Sequence, residues 1–155
     1  MRCLAVITLA LLVLTGCQTG PDYAAKLERI RPLAEQGDAL AQWRLGYMYR
    51  LGQGVPKDNK EAARWYRRAA NQGYADAQLK LGWMYEEGLG VTKDTKEAVR
   101  WWRKAAKRGH AAAQYLLGDM YRYGQGVTKD YKEAVRWYRK AAEQGLSSAQ
   151  YYLAL

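Results

Sequence analysis

Side chains that could carry out covalent or acid–base chemistry are scarce in this chain of 155 residues. Its only two serines, Ser147 and Ser148, are adjacent, and neither begins a Ser-x-x-Lys motif. The single histidine, His110, becomes Tyr74 or Leu146 when the sequence is shifted by 36 residues, so it is expected to pack or to lie at the surface. Two cysteines and one histidine do not provide a usual zinc ligand set. The sequence therefore predicts a non-enzymatic protein without a metal or cofactor.

One residue is predicted to be covalently modified. Cys17 ends the tetrapeptide Leu14-Thr15-Gly16-Cys17, which follows an apolar stretch that is too short to span a bilayer stably. With Arg2 near the start, residues 1–16 are predicted to be a secretory signal that is removed. The tetrapeptide resembles the lipobox of bacterial lipoproteins, in which the cysteine is thioether-linked to diacylglycerol, becomes the first mature residue and is N-acylated. A secretory signal with a chance cysteine, or a retained transmembrane anchor, is the alternative.

The resemblance to lipoproteins also implies a location. Residues 17–21 would form a lipidated tether, and two or more acyl chains anchor a protein without a transmembrane helix. Removal of Cys3 with the signal and thioether linkage of Cys17 to lipid would leave no thiol for a disulfide. Gln18 follows the cysteine, where lipoproteins kept at the inner membrane typically carry Asp. The resemblance therefore implies the inner leaflet of the outer membrane, facing the periplasm.

The rest of the chain repeats itself every 36 residues. Leu45-Gly46 recurs as Leu81-Gly82 and Leu117-Gly118, and Trp65 recurs as Trp101 and Trp137. Such a period indicates one supersecondary unit stacked on copies of itself, and about three copies are needed for a continuous core. The predicted organisation is a capping helix at 22–36, repeats at 37–72, 73–108 and 109–145, and a partial fourth repeat at 146–155. Within the capping helix, Arg29 replaces the tryptophan and Pro32 should produce a kink.

Each repeat is predicted to contain two helices. The first lies near Ala39–Leu51. Glycine within a helix costs about 1 kcal/mol against alanine, yet Gly46 recurs in each copy, which indicates that another helix approaches closely there. The second begins at Asp58, with Glu61 completing a capping box, and ends near Asn71. Its packing face comprises Ala62, Trp65, Ala69 and Ala70. The predicted fold is all-α, an α/α solenoid.

The repeated pattern resembles a known family. Ala41-Gln42, Leu45-Gly46, Gly52-x-Gly54-Val55 and Trp65-Tyr66 look like the Sel1-like repeat, which is related to the tetratricopeptide repeat but has a longer loop between its helices. The match covers about residues 37–145. The resemblance implies a solenoid of helix pairs whose first helices line the concave surface.

Positions that vary between the copies point to a binding groove. On the first helix they are three and four residues apart, on the face opposite the packing stripe. Tryptophan, tyrosine and arginine, which are enriched in interface hot spots, recur there. Drift, with some of the aromatic side chains packing between repeats, would also explain this face. The predicted groove residues are Trp43, Arg44, Tyr47, Arg50, Lys80, Trp83, Tyr115, Asp119, Arg122 and Tyr123.

The second helices carry recurring basic residues, which account for most of the net charge of +10. Stacked copies would align them into basic ladders that could hold anionic lipid or peptidoglycan. A solvated face, partly neutralised by Glu61, Glu97 and Glu133, is the alternative. Nucleic acid fits the charge but not the predicted compartment. The ladder residues are Arg64, Arg67, Arg100, Arg103, Arg136 and Arg139.

Two functions follow from these observations. The first is a membrane-anchored adaptor that presents its groove to a periplasmic or envelope protein, with Trp43, Tyr47 and Trp83 as anchors and the basic groove residues orienting an acidic partner. The alternative is a protein that binds peptidoglycan or another anionic envelope glycan through the basic ladders. The chain also ends in an expected apolar edge that a second copy or a partner would cover; a frayed end or a truncated chain is the alternative. That edge comprises Tyr151, Tyr152, Leu153 and Leu155.

Overall fold

The computed structural model describes residues 20–153, so the predicted signal sequence and the lipidation site at Cys17 lie outside the described residues. Within this range the chain forms eight helices, each packed on its neighbours in sequence. They are α1 (Pro21–Glu35), α2 (Ala39–Leu51), α3 (Asn59–Asn71), α4 (Ala75–Glu87), α5 (Thr95–Lys107), α6 (Ala111–Tyr123), α7 (Tyr131–Glu143) and α8 (Ser147–Leu153). The all-α solenoid prediction is confirmed. In the part of the chain from 20 to 153, none of the helices combines the length and apolar character needed to cross a membrane.

Local sequence signals set the helix boundaries. Asp58 caps α3, because its Oδ1 accepts the N–H groups of Lys60 and Glu61 at 2.8 and 3.0 Å. The other half of the predicted capping box is not formed. The N–H of Asp58 donates instead to the carbonyl of Tyr49, and the carboxylate of Glu61 pairs with Arg64. The cap therefore ties the start of α3 to the end of α2 rather than closing on itself.

The recurring glycine of each first helix lies against an aromatic ring of the second helix. A Cβ atom on Gly46 would stand 2.9 Å from Tyr66 Cδ1, and one on Gly118 would stand 2.6 Å from Tyr138 Cε1. In the second repeat the equivalent ring is Trp102, which is almost fully buried. The expected close approach of helices at these glycines is confirmed.

Neighbouring repeats are joined by polar contacts that also recur. Gln78 is buried, and its Nε2 donates to the carbonyl of Ala70 at the end of the preceding helix, 3.0 Å away. Gln42 and Gln114 make the same bond to Ala34 and Ala106. Each of these carbonyls also accepts a backbone N–H from the turn after its helix, so the glutamine adds a second hydrogen bond that ties the next helix to this helix end.

The two ends of the described solenoid differ from its middle. Helix α1 continues through Pro32 to Glu35 and packs on α2. At the other end α8 is short, and its Tyr152 stacks on Tyr138 with the ring centroids 5.4 Å apart. Of the predicted apolar edge, Tyr152 is thus half-buried, Tyr151 is 63% exposed and Leu153 is also exposed. Leu155 lies outside the described residues.

Candidate interaction surface

The predicted groove residues lie on α2, α4 and α6, the first helices of the three repeats, and they fall into three clusters. The first cluster is on α2. Trp43 and Tyr47 stack with their ring centroids 6.0 Å apart, and Trp43 also contacts Tyr74. Arg44 beside them is exposed. Both aromatic rings are half-buried, and they pack against the core cluster that α3 and α4 form.

The second cluster joins the first repeat to the second. Arg50, Lys80 and Trp83 line a cavity of about 210 Å³ together with two apolar side chains. Trp83 is 40% exposed, and its ring meets the edge of Trp102 at a centroid distance of 5.5 Å. The guanidinium of Arg50 lies 5.3 Å from the ring centroid of Tyr47, so the first two clusters are in contact.

The third cluster lies on α6 and is closed by α7 and α8. The Tyr138 hydroxyl donates to Asp119 Oδ1 over 2.5 Å. Burial and this bond raise the pKa of Tyr138 above its ordinary value, so the phenol stays protonated at neutral pH. Arg122 lies over the ring of Tyr152 at 4.6 Å. Tyr115 packs on Tyr138 and Tyr152, and Tyr123 is the most exposed member of the cluster.

The structure adds residues that the sequence did not single out. Helix α1 was expected only to cap the solenoid, yet together with α2 it lines a cavity of about 510 Å³. Lys26 and Leu33 of α1 stand where the three repeats have alanine, and this substitution of large residues for small ones was the available signal. The lining residues are Tyr23, Lys26, Arg29, Ile30, Leu33, Trp43, Arg44, Tyr47, Met48 and Gln53.

The predicted basic ladders divide into two kinds of residue. Arg64, Arg100 and Arg136 are exposed, and each pairs with the glutamate three residues earlier on its own helix. Arg67 and Arg103 are half-buried and donate to the hydroxyls of Tyr85 and Tyr121 in the following repeat, at 2.7 and 3.1 Å. Arg139 is the exposed counterpart in the third repeat. Part of the ladder therefore holds repeats together rather than facing outward.

The histidine and the two serines, which were considered for chemistry, lie in a helix cap and at the exposed start of a helix. His110 caps α6, since its Nδ1 accepts the N–H of Ala113 at 3.4 Å, and its Nε2 lies 3.1 Å from Asp76 Oδ1. Ser147 and Ser148 are exposed at the start of α8. Within residues 20–153, no cluster of histidine, cysteine and carboxylate side chains has the arrangement needed to hold a metal ion.

The stacked two-helix repeats, with aromatic and basic side chains on the first helices, place this chain in the class of helical-repeat scaffolds. The Sel1 repeat model matches residues 39–74, 75–110 and 111–146, each unit starting two residues later than the repeats defined from the sequence. The chain belongs to the Sel1 repeat family, whose members generally act as scaffolds for protein interaction.

Solved structures agree with this assignment. A Sel1 repeat protein from Oxalobacter formigenes is 43% identical with a TM-score of 0.78, over 83% of this chain and 96% of that one. A protective antigen of uropathogenic Escherichia coli that displays an SLR fold is 45% identical with a TM-score of 0.81, over 86% of this chain and 29% of that one. Cysteine rich protein B of Helicobacter pylori shares the fold at 22% identity and a TM-score of 0.68, over 86% and 96% of the two chains. Comparison with curated proteins gave no significant match.

Proposed function

We propose that this protein is a non-enzymatic adaptor of the bacterial cell envelope, anchored through lipid on Cys17 in the outer membrane, with its solenoid in the periplasm. Its first helices bind a periplasmic or envelope protein. The observation that carries the proposal is the set of three aromatic and cationic clusters along α2, α4 and α6, within a repeat fold that generally serves protein interaction.

Exposure and charge support this use of the surface. Trp83 is a large aromatic side chain left partly open beside Lys80 and Arg50, and buried aromatic or arginine anchors supply most of the free energy in protein interfaces. The cations around the aromatic rings favour a partner whose contact surface is acidic, because complementary potentials increase association rates and reject wrong partners.

The alternative, binding of an anionic envelope glycan, has weaker support. In each repeat one ladder arginine is already paired with a glutamate on its own helix, and Arg67 and Arg103 are occupied by tyrosine hydroxyls. Fewer free cations therefore face the solvent than the sequence suggests. Salt-sensitive pelleting with purified peptidoglycan, lost in an Arg64→Glu/Arg100→Glu/Arg136→Glu variant, would favour this alternative over the adaptor.

The adaptor proposal is tested by cross-linking in intact envelopes followed by identification of the captured proteins. We expect Trp83→Ala combined with Lys80→Glu to remove at least one reproducible partner. The matched control is Lys96→Glu, which reverses a charge on the exposed face of α5 away from the clusters. Identical capture profiles for the wild type and the Trp83 variant, at equal protein levels, would contradict the proposal.

A further inference from the structure

The cavity between α1 and α2 occupies a defined place in the repeat architecture. By the 36-residue period, α1 corresponds to a second helix, and its Lys26, Ile30 and Leu33 correspond to Ala62, Tyr66 and Ala69 of α3. Those three α3 residues are fully buried, and the Tyr66 ring is covered by Gly46 of α2. Burial of Tyr66 raises the pKa of its hydroxyl to about 12. In the repeats, this face of a second helix is thus covered by a first helix.

The same face of α1 is open in the described structure. Leu33 is 51% exposed, whereas its equivalents Ala69, Ala105 and Ala141 are fully buried. Lys26 is exposed and Ile30 is half-buried. The open volume of about 510 Å³ lies within the range of about 300–1,000 Å³ typical of ligand pockets. We call this volume the N-terminal slot, lined by α1 and α2.

The charge of the slot selects its occupant. Lys26, Arg29 and Arg44 line it, together with the aromatic rings of Tyr23, Trp43 and Tyr47. Among the described residues, no carboxylate lines it. Cations gathered around an apolar cavity favour a ligand with an apolar face and acidic flanks.

The sequence given before α1 does not have this charge pattern. Residues 1–19 contain no aspartate or glutamate, and their only charged side chain is the cation Arg2. Helix α8, the partial first helix at the other end, has no charged side chain at all, so a second copy docking through α8 would not match the slot either. Charge complementarity therefore favours a different protein.

We infer that the N-terminal slot binds an amphipathic helix of a partner protein, with the apolar face of that helix against Ile30 and Leu33 and acidic side chains paired with Lys26, Arg29 and Arg44. This inference rests on the proposed adaptor function and specifies the partner's chemistry. It follows the common mode in which a helix inserts its apolar side chains into a hydrophobic groove. The large side chains of Lys26 and Leu33 hold the partner helix further from α1 than a first helix lies from the second helix of its own repeat. The partner helix therefore fills the slot with bulky side chains rather than meeting α1 through a glycine.

Binding of defined peptides tests the inference. The full chain, purified from membranes in detergent, is titrated with a fluorescent, side-chain-stapled helix of about 14 residues that has leucine and alanine on one face and glutamate on its flanks. Two further peptides have lysine in place of glutamate, or a central proline that breaks the helix. We expect binding of the acidic helix, and affinity at least about tenfold lower for each of the other two, which corresponds to about 1.4 kcal/mol.

Variants on α1 locate the site. Arg29→Glu and Leu33→Glu should each weaken binding of the acidic helix by about tenfold or more, because one reverses a cation and the other places a charge in the apolar contact. Arg31→Glu is the matched control, an exposed arginine on the same helix that does not line the slot, and it should change affinity less than about twofold. All three substituted side chains are exposed, so circular dichroism should show unchanged helix content.

Failure of this inference is distinguishable from failure of the adaptor proposal. Equal binding of the acidic and lysine peptides, binding of the proline-containing peptide that is as tight as or tighter than that of the acidic helix, or equal effects of Arg29→Glu and Arg31→Glu would each overturn the inference. In the envelope cross-linking experiment, a partner lost with Trp83→Ala but kept with Arg29→Glu would support the adaptor and contradict the slot. A partner lost with Arg29→Glu and kept with Arg31→Glu would support both.

Discussion

At the scale of single residues, the solenoid depends on glycines that leave room for a ring. Adding a methyl group at Gly82 places Cβ against Nε1 of Trp102, a side chain that is almost fully buried and donates to the carbonyl of Leu79 at 3.2 Å. Overpacking of this kind costs about 1–3 kcal/mol. Loss of the indole hydrogen bond adds to this cost, and the better helix propensity of alanine offsets about 1 kcal/mol.

We therefore expect Gly82→Ala to lower the free energy of unfolding by about 2 kcal/mol, measured by urea denaturation followed by circular dichroism. Gly118→Ala and Gly46→Ala should cost progressively less, because their Cβ atoms would stand 2.6 and 2.9 Å from the tyrosine rings beneath them. If all three substitutions stabilised the protein, helix propensity would outweigh packing at these positions, and the interpretation of the glycines would be wrong.

At the scale of elements, the contacts between repeats were harder to predict than the helices. The bounds of α2 and α3 match the sequence prediction, because the caps and glycines that set them are local. The period identifies Trp65 and Tyr66 as recurring aromatic positions, but only packing shows that Tyr66 is fully buried while Trp65 is half-exposed beneath Arg68. Likewise, the slot on α1 depends on which helix covers which face, and the replacement of alanine by Lys26 and Leu33 is a signal of the difference but does not determine that arrangement.

The arginines of the second helices give a test of contacts between elements. Arg67 on α3 donates to the Tyr85 hydroxyl of α4, whereas Arg139 is the exposed counterpart on α7. We expect Arg67→Met to lower the free energy of unfolding by about 1 kcal/mol, since methionine keeps the apolar stem and removes the hydrogen bond. Arg139→Met is the matched control, with an expected change within about 0.5 kcal/mol.

A double-mutant cycle separates this bond from general packing. Because both side chains take part in one interaction, the effects of Arg67→Met and Tyr85→Phe should sum to more than the effect of the double variant, by about 0.5–1 kcal/mol. Additive effects, or an equal loss of stability for Arg67→Met and Arg139→Met, would show that the hydrogen bond contributes nothing to the repeat interface.

At the scale of the whole molecule, the fold and the proposed anchor should be separable. The described residues form a continuous stack in which each helix contacts its neighbours in sequence, and Cys17 is not among the described residues. Stability in such an array comes from each repeat and its interfaces with adjacent repeats, so we expect a lipid attached before α1 to change that stability little. The proposed lipid, by contrast, would govern location, because two or more acyl chains hold a protein on a membrane stably.

We therefore expect Cys17→Ser to move the protein from the membrane fraction to the soluble periplasmic fraction. Its thermal unfolding midpoint should stay within about 2 °C of that of the wild type, which corresponds to a change in stability of under about 1 kcal/mol. Cys3→Ser is the control and should leave the protein on the membrane, since residue 3 belongs to the proposed signal. Fractionation and circular dichroism measure the two outcomes independently.

Retention of Cys17→Ser on the membrane would contradict lipid anchoring without affecting the fold, and loss of folding would show that the segment before α1 contributes to the core. If the slot inference holds, the released variant should still bind the acidic helix in solution. If the adaptor proposal holds, that variant should no longer recover membrane-associated partners by cross-linking.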